Sequence, residues 1–391
     1  MDDEPQHAAQ VPLRTILREW TRLGCTGFGG PPTHISMLRR MCVDERGWIT
    51  EQDFEDGIAT TNLLPGPAST QLAIYCAWRL RGPVGAIIGG LCFIVPGLAL
   101  IIVLSAVFLA ANPPTWVLGA AAGAGAAVPA VALSASWQLV PGSRKRIGAR
   151  LAERRRWFAY AAIGAAAAAT IGAFLVLVIV ACGAVEILVR TRGRAAPPRA
   201  LASFWPGPML ALVVTGGLGG LSWVALKVGA LSYGGGFVIV PLMQHDAVVT
   251  YHWMTGAQFL NAVALGQITP GPVVQTVAVV GYAAGGVAGG LLAACIAFAP
   301  SFVFILAGAP HFDRIRANAR VQAFLTGAGP AVIGAIAGSA IPLGLDLHLY
   351  WQVPVLVAAA LWLLVARRGV VTCLLAAGAI GVVLALAGVR V

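Results

Sequence analysis

Two tripeptides stand out for the chemistry they permit. Pro65-Gly66-Pro67 and Pro270-Gly271-Pro272 each interrupt an apolar stretch with two prolines around a glycine, a combination that ends one helix and starts another. A helix that begins at membrane depth presents unpaired N–H groups and the positive end of its dipole, which together make an anion site. The first turns after the breaks carry Ser69, Thr70 and Gln71 in one case and Gln275 and Thr276 in the other. These neutral donors suit an oxyanion that must be held without being trapped. The segments ahead of the breaks end in Thr60, Thr61 and Asn62, and in Gln267 and Thr269. A plainer role for all these groups is to cap broken helix ends, and one residue can do both.

Two glycine-rich breaks accompany the tripeptides: Gly27-Phe28-Gly29-Gly30-Pro31-Pro32 and Tyr233-Gly234-Gly235-Gly236. Glycine lets backbone approach a ligand or a neighbouring helix closely. Neither break fits a nucleotide loop, since GxxxxGK[ST] is missing and no strand precedes them. A cation precedes each, Arg22 and Lys227. Lys227 sits in the apolar stretch Trp223–Gly236, where a charge is costly. Two such cations would suit a dianion, with snorkelling to an interface as the alternative. Glu186, Asp246, His34 and His245 are candidate proton carriers, each isolated in sequence. No Ser-His-Asp, paired-carboxylate or metal-ligand array is present, so the reading is of a protein that is not an enzyme and needs no metal or cofactor.

The motifs recur in register. Pro65-Gly66-Pro67 and Pro270-Gly271-Pro272 lie 205 residues apart, as do Phe28-Gly29-Gly30 and Tyr233-Gly234-Gly235, Trp48 and Trp253, Asn62 and Gln267, and Arg22 and Lys227. Gly82, Gly85 and Pro96 fall on Gly286, Gly289 and Pro300 after a one-residue gap, and Pro129-Ala130-Val131 meets Pro330-Ala331-Val332. This is a duplication. It divides the chain into a first repeat at 12–140, a basic loop with connecting spans at 141–221, a second repeat at 222–342, and a C-terminal helical hairpin at 343–391.

Each repeat must position its motifs in the same way. A glycine-interrupted helix leads through a linker and Trp to a short helix, the Pro-Gly-Pro, a second short helix and two long apolar spans. In the first repeat the short pieces are Glu51–Leu64 and Ala68–Leu80, each about 20 Å long and too short for a hydrocarbon core of about 30 Å. A re-entrant hairpin with Pro-Gly-Pro at its tip fits better than a kinked span. The long spans, 83–111 and 115–140, are joined by Asn112-Pro113-Pro114 without a cation, whereas 141–156 holds Arg144, Lys145, Arg146, Arg150, Arg154, Arg155 and Arg156. In the second repeat the joining loop 311–321 carries Arg314, Arg316 and Arg320, and 343–349 has no cation. Cations mark the cytoplasmic side, so the two repeats are inverted. Such repeats characterise secondary transporters, with the substrate site at the midplane between them. Two short spans in 157–189, one at 206–222 and a hairpin of 349–366 and 370–388 around Arg367-Arg368 bring the total to about nine full spans plus four broken segments.

Composition agrees. Of 391 residues 58% are hydrophobic and only 10% charged, against 48 glycines; a soluble chain carries about 25% charged residues. The net charge of +11 gathers in a few loops, which excludes nucleic acid as partner. Seven cysteines, odd in number and without CxxC spacing, read as small buried hydrophobes. The acidic, polar start carries no cleaved signal peptide. The fold class is therefore an all-α polytopic membrane protein whose partner is the lipid bilayer; monomer and homodimer both remain open.

The residues Gly27–Gly30, Trp48, Asn62 to Pro67 with Gln71, Gly82–Gly85 and Pro96 resemble the chromate ion transporter family, long two-domain form. The second half follows through Ser232–Gly236, Trp253, Gln267 to Gln275, Gly286 and Pro300. The resemblance covers about 12–342 and implies a multi-pass protein of the bacterial inner membrane that exports chromate at the expense of the proton motive force, with sulfate as a close mimic. Pro31-Pro32 follows the first glycine pair but Gly236-Phe237 the second, which leaves open whether both halves bind. The expected site comprises Asn62, Pro65, Gly66, Pro67, Ser69, Thr70, Gln71, Gln267, Pro270, Gly271, Pro272, Gln275, Gly29, Gly30, Gly234, Gly235, Arg22 and Lys227. Transport of sulfate or a related oxyanion, and a passive anion channel, are the alternatives; a membrane scaffold or sensor would leave four costly helix breaks unexplained.

Overall fold

The computed structural model describes residues 11–62, 64–148, 150–170, 174–191, 217–232, 239–308 and 317–391. The expected span at 206–222, the glycines Gly234 and Gly235, and Arg314 and Arg316 lie wholly or largely outside these residues.

The described chain is helical and built twice over. In the first repeat α1 (Leu13–Thr26) leads into α2 (Pro31–Arg39), which a π-helical turn, Arg40–Glu45, extends. Next come α3 (Glu51–Thr61), α4 (Ala68–Phe108) and α5 (Thr115–Arg144), then a hairpin of α6 (Leu151–Thr170) and α7 (Leu175–Thr191). The second repeat runs α8 (Leu218–Leu231), α9 (Ile239–Gln244) with its π-helical turn His245–Thr250, α10 (Gly256–Ile268), α11 (Thr276–Gly308) and α12 (Ala319–Leu345). A last hairpin, α13 (Gln352–Ala360, continued to Val365) and α14 (Val370–Leu386), completes it.

The duplication extends to details of the backbone. Both π-helical turns fall 205 residues apart, and each is followed by a left-handed residue, Gly47 (φ 59°) or His252 (φ 51°). The Trp48 and Trp253 amides then fold back onto the Cys42 and Ala247 carbonyls at 2.8 and 2.9 Å. Thr50 caps α3 by accepting from the Asp53 amide, and Thr255 caps α10 in a reciprocal capping box with Gln258. At the tips Gly66 (φ 119°) and Gly271 (φ 90°) take conformations closed to a side chain. Helices α4 and α11 are each two helices folded back on one another: non-helical residues at Arg81-Gly82 and Gly285-Gly286 end the short tip helix, and the long span beyond packs against it, Gly90 facing Ile74 and Gly290 facing Ala278. Two re-entrant hairpins, α3 with Ala68–Leu80 and α10 with the first part of α11, stand where the sequence places them.

Packing shows the inversion directly. Gly90 of α4 faces the Phe302 ring of α11, and Gly290 of α11 faces Ile102 of α4, so early residues of each helix meet late residues of the other and the two run antiparallel. The C-terminal end of α5 likewise meets the first half of α12, where a methyl on Gly329 would stand 3.6 Å from Ser143 Oγ. The hairpins are exchanged between repeats. The α6–α7 pair lies on α12, with Gly334 against Ala161 and Gly338 against Ala165, and α14 lies on α5 through Gly119, Gly123 and Gly381. Small residues allow this approach in lipid, where van der Waals packing drives helix association.

The outer surface is apolar. Val84, Ile87, Leu91, Val95 and Val103 form an exposed stripe along α4, and Val287, Leu291 and Val303 one along α11, as lipid-facing spans require. Among the described residues α4, α5, α12 and Val273–Gly308 are long and apolar enough to cross a membrane.

Candidate functional site

The two hairpin tips enter the opposite repeat. Gly66 of the first tip lies against the Gly229 carbonyl of α8, and Gly229 is pressed onto Ala297 of α11. Gly271 of the second tip donates its amide to the Gly27 carbonyl at the end of α1 (2.9 Å), and the carbonyl of Pro270 rests on Gly97 of α4. Gly24 fits onto the Cys92 and Phe93 carbonyls as Gly229 fits onto Ala297. The glycines of these broken helices therefore serve close packing. Gly29 (φ 103°) and Gly30 (φ 77°) also turn the chain into α2, and a methyl on Gly30 would lie 3.6 Å from Val273 beside the second tip.

His34 links the tips, which sequence reasoning did not foresee. It is fully buried, with Nε2 at 2.9 Å from the Gly27 carbonyl and Nδ1 at 3.3 Å from Ser69 Oγ. The Gly27 carbonyl is an acceptor only, so Nε2 carries the proton and Nδ1 accepts from Ser69. The Phe93 ring meets the imidazole edge-on at 5.1 Å. One carbonyl, Gly27, thus receives the second tip and the imidazole that holds the first tip's helix. The available signal was position: His34 lies one helical turn after Gly30.

The polar side chains at this junction are not all satisfied. Gln71 donates Nε2 to the Pro65 carbonyl (2.7 Å) and Gln275 donates Nε2 to the Ile94 carbonyl (2.9 Å), and Thr276 Oγ1 bonds back to Val273. Thr70 Oγ1, Gln71 Oε1, Ser232 Oγ, Gln267 Nε2, Gln275 Oε1 and Ser301 Oγ are buried with no partner among the described residues. Thr70, Gln71, Ser232, Gln275 and Ser301 are wholly buried and Gln267 nearly so. A buried polar atom without a partner costs about 1–3 kcal/mol, and six in one region form a concentration that packing does not explain. Four of the six are hydroxyls or an amide nitrogen, groups that donate to an anion. Ser301 carried no weight in the sequence, and Ser232 entered only as the edge of the second glycine motif, because their counterparts, Gly97 and Gly27, are glycines.

Other expected residues are placed differently. Lys227 is buried and ion-paired with Asp246 of the π-helical turn, so its charge is already answered, and Asp246 is not isolated. Arg22 is exposed and lines a surface groove with Glu19, Arg40 and Glu45. Glu186, also read as isolated, is buried in the α6–α7 hairpin and accepts from Arg156 (2.9 Å), Arg190 (2.8 Å) and the Tyr160 hydroxyl (3.1 Å). Arg190 is one helical turn from Glu186, but the other partners were illegible because they lie 19 to 30 positions away across breaks or turns.

The two tips differ in exposure. Pro65 is exposed, whereas Pro270, Gly271 and Pro272 are buried. Asn62, just ahead of the first tip, lines a cavity of about 190 Å³ with Ser143 and Arg146 beside the basic connection after α5. Leu64 and Pro65 line an adjoining apolar cavity of about 290 Å³ with Leu231, Leu242, Phe324 and Leu325. At the other end of the α5–α12 pair a cavity of about 480 Å³ is lined by Phe108, Pro113, Asn261, Asp346, His348 and Gln352. There burial raises the Asp346 carboxyl above its usual range while the Gln244 amide draws it down.

The family's sequence pattern matches residues 14–187 and 219–382, once for each repeat. The chain belongs to the chromate transporter family. A chromate transport protein of Cupriavidus metallidurans is 33% identical over 345 residues, 85% of this chain and 82% of that one. A probable chromate transport protein of Synechococcus elongatus is 30% identical over 346 residues, 85% of this chain and 84% of its own. An uncharacterized transporter of Methanocaldococcus jannaschii is 29% identical over 329 residues, 78% of this chain and 77% of its own. No solved structure matches the chain. As a member of the chromate transporter family the protein is an all-helical, multi-pass membrane protein of two repeats.

Proposed function

We propose that the protein is a secondary active transporter that carries chromate across the bacterial inner membrane by alternating access, holding the dianion near the midplane at the two Pro-Gly-Pro breaks. Relatives named for chromate transport support the substrate. The observation that carries the site is the set of four buried, unpartnered donors, the Thr70, Ser232 and Ser301 hydroxyls and the Gln267 amide nitrogen, at the hairpin tips and the helices they abut. An oxyanion received there would satisfy Thr70, Ser232, Ser301 and Gln267, aided by the helix N-termini after Pro67 and Pro272. Neutral donors read charge and tetrahedral shape, so sulfate is the natural competitor.

The unequal tips support alternating access: the first is open beside the basic connection, and the second is sealed against α4. A continuous channel is disfavoured by the same sealing. Export and coupling to protons follow the family resemblance. The matched segments, 14–187 and 219–382, further support repeat units that each include the hairpin after the long spans. Lys227, ion-paired with Asp246, enters as a support of the surrounding helices rather than as a ligand, and Arg22 stays on the surface.

The test is chromate flux in proteoliposomes of purified protein under an imposed pH gradient, with sulfate as competitor. Gradient-dependent chromate flux that equimolar sulfate lowers in part without abolishing it is expected. Flux indifferent to the gradient would return the reading to a channel, and full competition by sulfate would move the substrate assignment.

A further inference from the structure

His34 is a buried titratable group at the tips that anion binding by neutral donors leaves unused. Three groups meet its ring: the Gly27 carbonyl at 2.9 Å from Nε2, the Ser69 hydroxyl at 3.3 Å from Nδ1 and the Phe93 ring at 5.1 Å. None of the three titrates or carries a charge. The elements packed against α2 are α1, α4 and the π-helical turn Arg40–Glu45. Their charged side chains are exposed or matched elsewhere. Arg14, Arg18, Arg22 and Asp44 are exposed, Arg46 holds Glu19, Arg40 holds Glu45 and Arg79 holds Asp53. Arg81 stands at the far end of the tip helix from Ser69, and Arg39 of α2 itself holds Glu51 and Glu55. The Cys42 and Cys76 thiols are buried against each other, and Cys25 and Cys92 are at least partly exposed. No carboxylate meets the imidazole among the described residues, and a charge on a fully buried ring is costly without an opposite charge beside it.

We propose that His34 is the proton site of the transport cycle, where arrival of the oxyanion at the tips draws one proton from water onto Nδ1. This inference rests on the reading of the protein as an oxyanion transporter and names the residue that links it to protons. With Nε2–H held by the Gly27 carbonyl, Nδ1 is the ring atom left to take a proton. In the neutral ring Nδ1 accepts from Ser69. In the charged ring Nδ1–H donates to the Ser69 oxygen, and that hydroxyl turns its own proton elsewhere. Ser69 lies in the first turn after Pro67, next to Thr70, whose hydroxyl is one of the unpartnered donors. One proton therefore adds both a positive charge and a free O–H donor where the dianion is received. The coupling is reciprocal, since the anion favours the proton by the factor by which the proton favours the anion. The change reaches the second tip as well: Gly27 O also accepts from the Gly271 amide at 2.9 Å, and a charged imidazole is the stronger donor to that shared carbonyl.

The experiment titrates chromate into the purified, full-length protein by calorimetry from about pH 7.5 to 9, in buffers of different ionisation enthalpy. Chromate is itself a dianion over that range, so protons taken up belong to the protein. The parent should take up about one proton per anion bound, and its affinity should fall about tenfold per pH unit as pH rises. His34→Gln, whose amide can still donate to the Gly27 carbonyl, should take up none and bind with an affinity independent of pH. In histidine spectra of 15N-labelled parent at about pH 8, one ring should pass from the Nε2–H tautomer to the imidazolium when chromate is added. A purely structural histidine would alter affinity or melting temperature on substitution and leave the proton count alone. Binding by the parent without proton uptake, uptake that persists in His34→Gln, or no histidine changing form would overturn the proposal. Where His34→Gln does not fold, the parent's spectra decide. If the parent does not bind chromate, the substrate reading fails on its own and the same titration is made with sulfate. Proton uptake with sulfate then supports His34, and its absence, or binding of neither anion, overturns it.

Discussion

Seating of the second tip on α4 turns on one hydrogen atom. Gly97 faces the Pro270 carbonyl and the Gln275 amide, and a methyl there would fall inside the contact distance of the carbonyl and 2.6 Å from Gln275 Oε1. The carbonyl belongs to the tip's backbone and cannot rotate aside, so Gly97→Ala must lift the tip. Overpacking of this kind costs about 1–3 kcal/mol, which raises the ratio of unseated to seated tip about 5- to 150-fold. The sign is informative, because alanine in a helix interior is otherwise favoured over glycine by about 1 kcal/mol. Gly378→Ala is the control: its methyl would meet only Ala120 O at 3.3 Å and Ala124 Cβ at 3.8 Å. Val274 is fully buried beside the tip, so a cysteine there reports seating through its maleimide labelling rate, read on folded, monodisperse protein. Gly97→Ala should accelerate labelling by that factor, lower the melting temperature and slow chromate flux, while Gly378→Ala leaves labelling unchanged. Labelling and flux of Gly97→Ala at parental levels would refute the seating argument.

Two further predictions concern the frame. Lys227→Met or Asp246→Leu strands a buried charge and should cost about 3–5 kcal/mol, whereas the double substitution should recover most of it; thermal melts of all three variants decide this, and harmless single variants would show that the pair is not buried together. Cysteines placed at Pro113 and at Arg320 should react with an impermeant maleimide from opposite faces of the membrane, and labelling from one face would end the inverted arrangement.

The parts of the fold legible in the sequence are those fixed by local chemistry. Proline flanking glycine breaks a helix wherever it occurs, so both hairpins could be placed to within a few residues; α3 ends at Thr61 rather than Leu64 because the turn needs more chain. Arginine distribution gave the inversion, which the antiparallel run of α4 and α11 bears out. The exchange of hairpins between repeats was not legible, since it depends on glycine and alanine faces whose partners lie far away in the chain. The same holds for charged residues. Lys227 read as a free cation because Asp246 is 19 residues on, across the glycine break. His34 read as a lone histidine because its partners, the Gly27 carbonyl and the Ser69 hydroxyl, belong to two separate motifs 7 and 35 residues away that only the fold brings together. Ser301 escaped, and Ser232 was named only as the edge of a motif, because a repeat comparison draws attention to what matches, and a site between unequal halves uses what does not.

The central claim, that the unpartnered groups at the tips receive the oxyanion, is tested most directly by chromate titration of the purified protein and of Thr70→Val and Ser301→Ala, with melting temperatures of the unliganded forms. Each substitution removes a buried hydroxyl that has no partner among the described residues, so stability should hold or rise. A hydrogen bond to a charged ligand is worth about 1.5–3 kcal/mol, so affinity should fall about 10- to 150-fold per substitution. Unchanged affinity in both variants, with the parent binding chromate, would place the anion elsewhere and contradict the account.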